Sequence, residues 1–304
     1  MDYDTFIAAK NSLDLGDTRV AYIDQGSGPP LLLLHGCPFS SFVWRKVIPI
    51  LAPAHRCLAP DLLGLGDTET PAGADWSLPA QEAMVLGFLD ALELHQVAVV
   101  GHDHGGAVAQ MLAARHPERI ERLVLCNAEA YDNWPSADER PFVTITQLPG
   151  IGAAVMRAYG TRPVLRLALG LAKAVENRRV LDDELVEGYR RANLGDAHRQ
   201  AKTARFLAGQ VDPANNAWTG KIVDGLRRFD RPTLLLWGAD DPHFGPSWAE
   251  RLAADVPGVI GIELLPGTGH LLMEERPQEV AGKILDFLAR PASRSAVASD
   301  PARG

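Results

Sequence analysis

A sharp turn between an apolar strand and a helix is the sequence feature that most restricts the fold. The apolar run at residues 97–100 is followed by residues 101–106 (GHDHGG), and a helical pattern then continues to Arg115. The glycines permit a turn so tight that larger flanking side chains would clash. Such a turn holds one side chain above the edge of a sheet, and here that side chain is Asp103. An alternative interpretation is that Asp103 only caps the helix.

Short apolar runs alternate with helical patterns along most of the chain. The later runs are continuously apolar, which is typical of strands buried on both faces of a parallel sheet. We therefore predict an α/β fold with a mostly parallel, doubly wound sheet. A hairpin turn at residues 13–17 indicates that the first strands are antiparallel. Strands are predicted at residues 19–23, 31–35, 56–60, 97–101, 122–126, 233–237 and 262–265, and helices at 79–94, 106–115, 248–255 and 277–290.

Residues 131–229 interrupt this alternation. No buried strand is predicted there, whereas apolar residues recur at helical spacing over 164–175 and 182–191. An insertion of this length far exceeds an ordinary connection, so we predict a helical cap (lid) domain. The core would comprise residues 1–130 and 230–290, followed by a flexible polar tail at 291–304. Ligands of open α/β sheets bind outside the carboxyl ends of the strands, where such a cap would enclose a cavity.

Composition argues against several classes of function. The chain has 304 residues and a net charge of −8, which disfavours nucleic acid and anionic membranes as partners. The three cysteines (Cys37, Cys57 and Cys126) have no metal-binding spacing, and their low, odd number fits a reducing compartment. The first ten residues lack a signal-peptide pattern, and no run suits a membrane span. We expect a cytoplasmic enzyme that uses no cofactor and no metal.

An aspartate at the turn suggests a particular chemistry. A carboxylate is ionised at pH 7, so Asp103 would need no base before it attacks. It can displace a good leaving group from a saturated carbon and form an ester on the enzyme. A histidine that activates water could then hydrolyse this ester. His270 suits that role because it follows glycines in the loop after the strand at residues 262–265.

An acid is needed to orient the ring of His270, and two candidates follow predicted strands. Asp241 follows the strand at residues 233–237, and Glu129 follows the strand at residues 122–126. Either carboxylate could accept the second ring N–H of the histidine. We favour Asp241 and keep Glu129 as the alternative. Aromatic residues of the insertion that could line the cavity are Tyr131, Trp134, Tyr159, Tyr189 and Trp218.

Several segments resemble the haloalkane dehalogenase and epoxide hydrolase branch of the α/β hydrolases. They are residues 20–24 (VAYID), 35–45 (HGCPFSSFVWR), 60–67 (PDLLGLGD) and 101–105 (GHDHG), together with the segments around Asp241 and His270. The resemblance implies the α/β-hydrolase fold and covers the core on both sides of the insertion. It is specific for an aspartate nucleophile.

The resemblance also implies roles for individual residues. Asp103 would be the nucleophile and His270 the base, and the backbone N–H groups of Cys37 and His104 would stabilise an oxyanion. Dehalogenases of this branch typically carry Asn and Trp at the positions of Cys37 and His104. The implied substrates are a halogenated aliphatic compound and water. Among the aromatic residues of the insertion, we expect Tyr131 and Trp134 to contact the substrate. Epoxide hydrolysis is the alternative, followed by ester hydrolysis or a non-catalytic binding role.

Overall fold

The computed structural model describes residues 2–135, 139–167 and 171–291. The strands are β1 (Asn11–Leu15), β2 (Thr18–Gln25), β3 (Pro30–Leu34), β4 (Arg56–Pro60), β5 (Val97–Asp103), β6 (Ile120–Ala128), β7 (Thr233–Gly238) and β8 (Val259–Leu265). Together they form one eight-stranded sheet in the order β1-β2-β4-β3-β5-β6-β7-β8. The β1–β2 and β2–β4 pairs are antiparallel and the other pairs are parallel. The predicted α/β architecture and its antiparallel start are confirmed.

Helices cover both faces of the sheet. They are α1 (Tyr3–Ala8), α2 (Ile48–Leu51), α3 (Leu78–Ala91), α4 (His104–Arg115), α5 (Arg140–Thr146), α6 (Ile151–Tyr159), α7 (Arg162–Leu165), α8 (Asp183–Asn193), α9 (Ala197–Gln210), α10 (Pro213–Lys221), α11 (Val223–Leu226), α12 (Pro246–Asp255), α13 (Leu272–Glu275) and α14 (Pro277–Ala289). Short 3-10 helices lie at Ser41–Trp44, Pro117–Arg119 and Arg178–Val180. Among the described residues, none of these helices has the length and apolar character that a membrane crossing requires.

The central strands are apolar throughout because both of their faces are buried. In β3, Leu32 and Leu34 belong to one hydrophobic core, and Leu31 and Leu33 belong to the core on the other face. All four side chains are fully buried. Burial of each such leucine stabilises the fold by about 1.5–3 kcal/mol. The same division between two cores continues in β5, β6 and β7 and fixes the register of the sheet.

Two local predictions need correction. The predicted turn at residues 13–17 is mostly strand β1, and Gly16 and Asp17 alone make the turn to β2. The helix predicted at residues 164–175 is limited to Arg162–Leu165, and residues 171–174 form turns, whereas residues 168–170 lie outside the described part. Ala174 is held by a tertiary contact instead, because its carbonyl accepts the N–H of Leu271 at 3.0 Å.

The inserted helical segment, defined here as residues 129–232, connects β6 to β7. Its secondary structure consists of helices α5 to α11 and one 3-10 helix, with no strand in the part that the structure describes. The division into core and cap at residues 131–229 stays a prediction. Of the predicted flexible tail, residues 292–304 lie outside the described residues.

Candidate active site

Asp103 lies at the junction of β5 and α4, in the turn that the sequence predicted. Its backbone has φ +53° and ψ −124°, a conformation that is rare for residues with a side chain. The neighbouring glycines leave no room for larger residues. A Cβ atom at Gly105 would lie 2.5 Å from the carbonyl oxygen of His35, and one at Gly36 would lie 2.4 Å from Cβ of Asp103. Close packing of β3 and its following loop against the turn therefore fixes the carboxylate in place.

The two carboxylate oxygens of Asp103 have different partners. Oδ1 accepts the backbone N–H of Cys37 at 2.8 Å and also accepts the backbone N–H of His104. Oδ2 lies 3.0 Å from Nε2 of His270. Burial alone would raise the pKa of Asp103, but the hydrogen bond and charge of His270 hold it below its usual value. The carboxylate is therefore ionised, and its contact with His104 N–H shows that it also caps α4.

His270 lies in the loop between β8 and α13, with its ring between two carboxylates. Nδ1 lies 2.9 Å from Oδ2 of Asp241, and Nε2 faces Asp103. Burial would lower the pKa of His270, but the charge of Asp241 and the bonds to both carboxylates raise it well above its usual value. The ring is positively charged in this arrangement.

Asp241 is held by Asn127 of the neighbouring strand β6 and by the backbone of its own loop. Its Oδ2 accepts the side-chain N–H of Asn127 at 2.7 Å, and its Oδ1 accepts the backbone N–H of His243 at 2.7 Å. Burial would raise the pKa of Asp241, but the charge of His270 keeps it low. The ring of His102 packs against that of His270, with centroids 4.6 Å apart, and its Nε2 lies 3.0 Å from the backbone carbonyl oxygen of His270. From the sequence alone, neither Asn127 nor His102 is assigned a role beside His270, although His102 lies in the turn motif at residues 101–106.

Glu129 is paired with a different histidine. Its Oε2 lies 2.8 Å from Nδ1 of His104, so the carboxylate does not contact His270. The ring of His104 also packs edge-on against Phe206 of α9. The structure thus brings Asp241 to His270 and Glu129 to His104. The His104 side chain is not part of the cavity lining, and only its backbone N–H reaches Asp103.

A cavity of about 80 Å³ opens onto Asp103 and His270. Its volume suits a molecule of a few non-hydrogen atoms. Much of the lining is apolar, and several residues come from the inserted helical segment. The lining residues are Cys37, Pro38, Phe39, Asp103, Trp134, Glu139, Tyr159, Leu165, Leu171, Lys173, Ala174, Tyr189, Leu194, His243 and His270.

Two aromatic residues expected in the cavity lie elsewhere. The Tyr131 hydroxyl donates to Oδ2 of Asp255 at 2.9 Å, and its ring stacks with Trp248, so stronger partners hold it away from the cavity. Trp218 packs instead below the ammonium of Lys221, which lies 4.5 Å from its ring centre. Cys37, Trp134, Tyr159 and Tyr189 line the cavity.

The histidine-rich region around the turn does not form a metal centre. In the described ranges, no three His, Cys, Asp or Glu side chains are arranged to hold a metal ion. His35 and His102 make hydrogen bonds to the backbone instead: Nε2 of His35 accepts the N–H of Leu62 at 2.9 Å.

The chain is similar to known proteins over most of its length. The model of the alpha/beta hydrolase fold family matches residues 29–277. Haloalkane dehalogenase 2 of Mycobacterium tuberculosis is 30% identical over 88% of this chain and 91% of its own length. A cis-3-alkyl-4-alkyloxetan-2-one decarboxylase of Shewanella oneidensis is 27% identical over 94% of this chain and 90% of its own length.

A solved alpha/beta hydrolase fold protein from Burkholderia ambifaria superposes with a TM-score of 0.76 and 29% identity, covering 91% of this chain and 97% of that one. The match of the family model and the identity to dehalogenases extend over most of the sequence. The chain therefore belongs to the alpha/beta hydrolase fold family, in the branch that contains the haloalkane dehalogenases.

Proposed function

We propose that this hydrolase cleaves carbon–halogen bonds of small aliphatic compounds through an ester formed on Asp103. The observation that carries the proposal is the ionised Asp103 carboxylate, which lines the cavity with one oxygen 3.0 Å from His270. A serine at this position would need a base before attack, whereas a carboxylate is a nucleophile at once. The identity to haloalkane dehalogenases supports the same reaction.

In the first step, Oδ2 of Asp103 attacks the carbon that carries the halogen. Oδ1 accepts two backbone N–H groups, from Cys37 and His104, whereas Oδ2 has a single hydrogen-bond partner among the described residues, His270, so Oδ2 is the oxygen with a lone pair available to react. The carbon–halogen bond breaks as the carbon–oxygen bond forms, and the halide leaves with the bonding electron pair. Trp134 lines the cavity, and an indole N–H is a suitable donor to a halide.

In the second step, water hydrolyses the ester. Esterification removes the charge of Asp103, which is one of the two carboxylates that raise the pKa of His270. The pKa therefore falls, so the ring releases its proton to solvent, and the neutral imidazole of His270 can then remove a proton from water. The resulting hydroxide attacks the carboxyl carbon of Asp103, and the N–H groups of Cys37 and His104 stabilise the oxyanion on Oδ1. The alcohol leaves, and Asp241 stabilises the imidazolium.

We further propose that the inserted helical segment acts as a cap. Trp134, Tyr159, Leu165 and Tyr189 from this segment line the cavity together with Asp103. A substrate would therefore be enclosed between the segment and the sheet, with little water around the reacting carbon. Exclusion of water strengthens the electrostatic interactions on which both steps depend.

Epoxide hydrolysis is the second candidate, and Tyr159 is the observation that favours it. This tyrosine lines the cavity, and burial raises the pKa of its hydroxyl, which therefore stays protonated. A protonated phenol could donate to the oxygen of an epoxide ring as Asp103 opens it. Trp134 suits a halide, and Tyr159 suits an epoxide oxygen.

Halide release from a panel of short bromo- and chloroalkanes tests the proposal. The purified protein should release bromide in proportion to alcohol formed, and Asp103→Asn should release none. Styrene oxide and short aliphatic epoxides belong in the same assay. Turnover of epoxides without any halide release would replace the first candidate by the second.

A further inference from the structure

Three polar side chains in the cavity have no part in the proposed chemistry. Glu139 Oε1 lies 2.7 Å from Nζ of Lys173 and 3.6 Å from Nδ1 of His243. All three line the same cavity as Asp103 and His270. They come from separate parts of the chain: Glu139 precedes α5, Lys173 precedes the 3-10 helix of the insertion, and His243 follows β7. We call them the polar wall.

The polar wall is mostly removed from solvent. The exposed fractions of the side chains are 21% for Glu139, 27% for Lys173 and 12% for His243. A partly buried ion pair has already lost some of the water that hydrates it. A substrate without polar groups would displace more of this water and would offer no hydrogen bond in its place. A substrate with a polar group near this wall would replace the lost water contacts. The wall therefore disfavours a purely apolar substrate.

An unused hydrogen-bonding atom is present in the polar wall. The buried Nδ1 of His243 makes no hydrogen bond within the described residues, and its 3.6 Å distance from Glu139 Oε1 is too long for one. A hydroxyl group can donate to a carboxylate and accept from an imidazole N–H at the same time. A ligand hydroxyl beside these two atoms would therefore satisfy both of them.

The charges of the cavity select against charged substrates. Asp103 is balanced by His270, and Glu139 is balanced by Lys173. Burial and the nearby charge of His270 lower the pKa of His243, which is therefore neutral. A charged group would lose its hydration and would find no unpaired opposite charge in the described part of the cavity, because each of these charges already has a partner. An uncharged polar group meets neither penalty.

We propose that the polar wall binds an uncharged hydroxyl group of the substrate, so that the substrate class is a short halogenated alcohol. The wall holds the hydroxyl through Glu139 and His243, and Lys173 fixes the Glu139 carboxylate. This inference rests on the proposed function for the reacting end of the substrate. It adds the chemistry of the other end, which the dehalogenation mechanism does not determine.

A matched set of substrates tests the inference. 3-Bromo-1-propanol and 1-bromobutane have the same number of non-hydrogen atoms and differ in one hydroxyl group, and 3-bromopropanoate adds a charge. For the wild type, kcat/KM should be about tenfold or more higher for the bromoalcohol than for 1-bromobutane, and lowest for the anion. Glu139→Gln and His243→Phe should each reduce the ratio between the first two substrates by about fivefold or more.

The control variant is Lys221→Met, which removes an exposed lysine of α10 distant from the cavity lining. It should leave the substrate ratio as in the wild type. A wild-type ratio at or below one, or a ratio unchanged from the wild type in both polar-wall variants, would overturn the inference. An unchanged ratio would assign the Glu139–Lys173 pair a purely structural role. In that case Lys173→Met should lower the free energy of unfolding and leave the substrate ratio unchanged.

Binding without turnover separates this inference from the proposed function. In ligand-observed NMR titrations, 1,3-propanediol should bind more tightly than 1-butanol to the wild type, and Glu139→Gln should remove this preference. A diol preference without any halide release would contradict the dehalogenation proposal and keep the polar wall. Halide release with equal binding of both alcohols would keep dehalogenation and refute the polar wall.

Discussion

Nε2 of His270 lies 3.0 Å from Oδ2 of Asp103, and the same imidazole contacts Asp241 through Nδ1 at 2.9 Å. The ring is thus shared by two carboxylates, both of which favour its protonated form. A protonated ring cannot act as a base. In the proposed reaction, the base therefore becomes available only after Asp103 is esterified, which orders the two chemical steps.

The charged state of His270 predicts how stability depends on pH. Its pKa lies at about 10, against 6.5 for an ordinary imidazole. A group whose pKa is higher in the folded protein than in the unfolded chain stabilises the fold. This stabilisation is complete at pH values below the unfolded-state pKa and is lost as the pH rises to the folded-state pKa. The free energy of unfolding should therefore decline between pH 6.5 and about 10. Urea unfolding across this range measures the decline, and His270→Gln should show a clearly smaller slope.

The acid partner of His270 can be identified by comparing two variants. Asp241→Asn should lower kcat by about 10³–10⁴-fold, because the ring loses the group that orients it and stabilises its charge. Glu129→Gln should retain far more activity, since Glu129 contacts His104. Its main effect should be a loss of about 1–3 kcal/mol in stability from the disturbed buried pair. Equal losses of kcat in the two variants would contradict this assignment.

Glu275 should position the loop that carries His270. Its carboxylate accepts the N–H of Gly269 at 2.7 Å and that of Asn177, in the inserted helical segment, at 2.7 Å. Glu275→Ala would leave both N–H groups without this acceptor, so we expect a loss of about 1–3 kcal/mol in stability and faster amide exchange at residues 267–271. Glu279→Ala, an exposed change in α14, is the control. Unchanged exchange in Glu275→Ala would show that other contacts hold the loop.

The turn around Asp103 should not tolerate a methyl group. In Gly105→Ala the new Cβ would meet His35 O and the backbone of Leu34 at 2.5 Å, so β3 and the turn would have to separate. We expect a loss of more than about 2 kcal/mol in stability and most of the activity. Gly282→Ala is the matched control, because nothing lies within 4 Å of its Cβ, and it should stabilise α14 by about 0.5–1 kcal/mol. Similar effects of the two changes would refute this packing argument.

The core of the fold and much of the site could be predicted because local patterns determine them. Apolar runs such as residues 97–100 specify strands buried on both faces, and the glycines around Asp103 specify a sharp turn. The carboxyl ends of parallel strands share one edge of the sheet, so residues that follow different strands meet there. His270 and Asp241 were predictable for that reason.

The remaining features depend on tertiary contacts that leave no local signal. Tyr131 follows β6 as expected of a cavity residue, yet Asp255 and Trp248 hold it elsewhere. Residues 171–174 have a helical pattern but form turns, with Ala174 bonded to the loop of His270. Glu139 pairs with Lys173, 34 residues further along the insertion. A local sequence pattern predicts individual helices and does not predict which distant residues they bring together.

Trapping the ester on Asp103 tests the central claim most directly. In His270→Gln the second step should be blocked, so incubation with 1-bromobutane should increase the intact mass by one butyl group, and peptide mapping should place that group on Asp103. The double variant Asp103→Asn/His270→Gln should stay unmodified. Halide release by the wild type without any adduct in His270→Gln, or with an adduct on another residue such as Cys37, would contradict nucleophilic attack by Asp103.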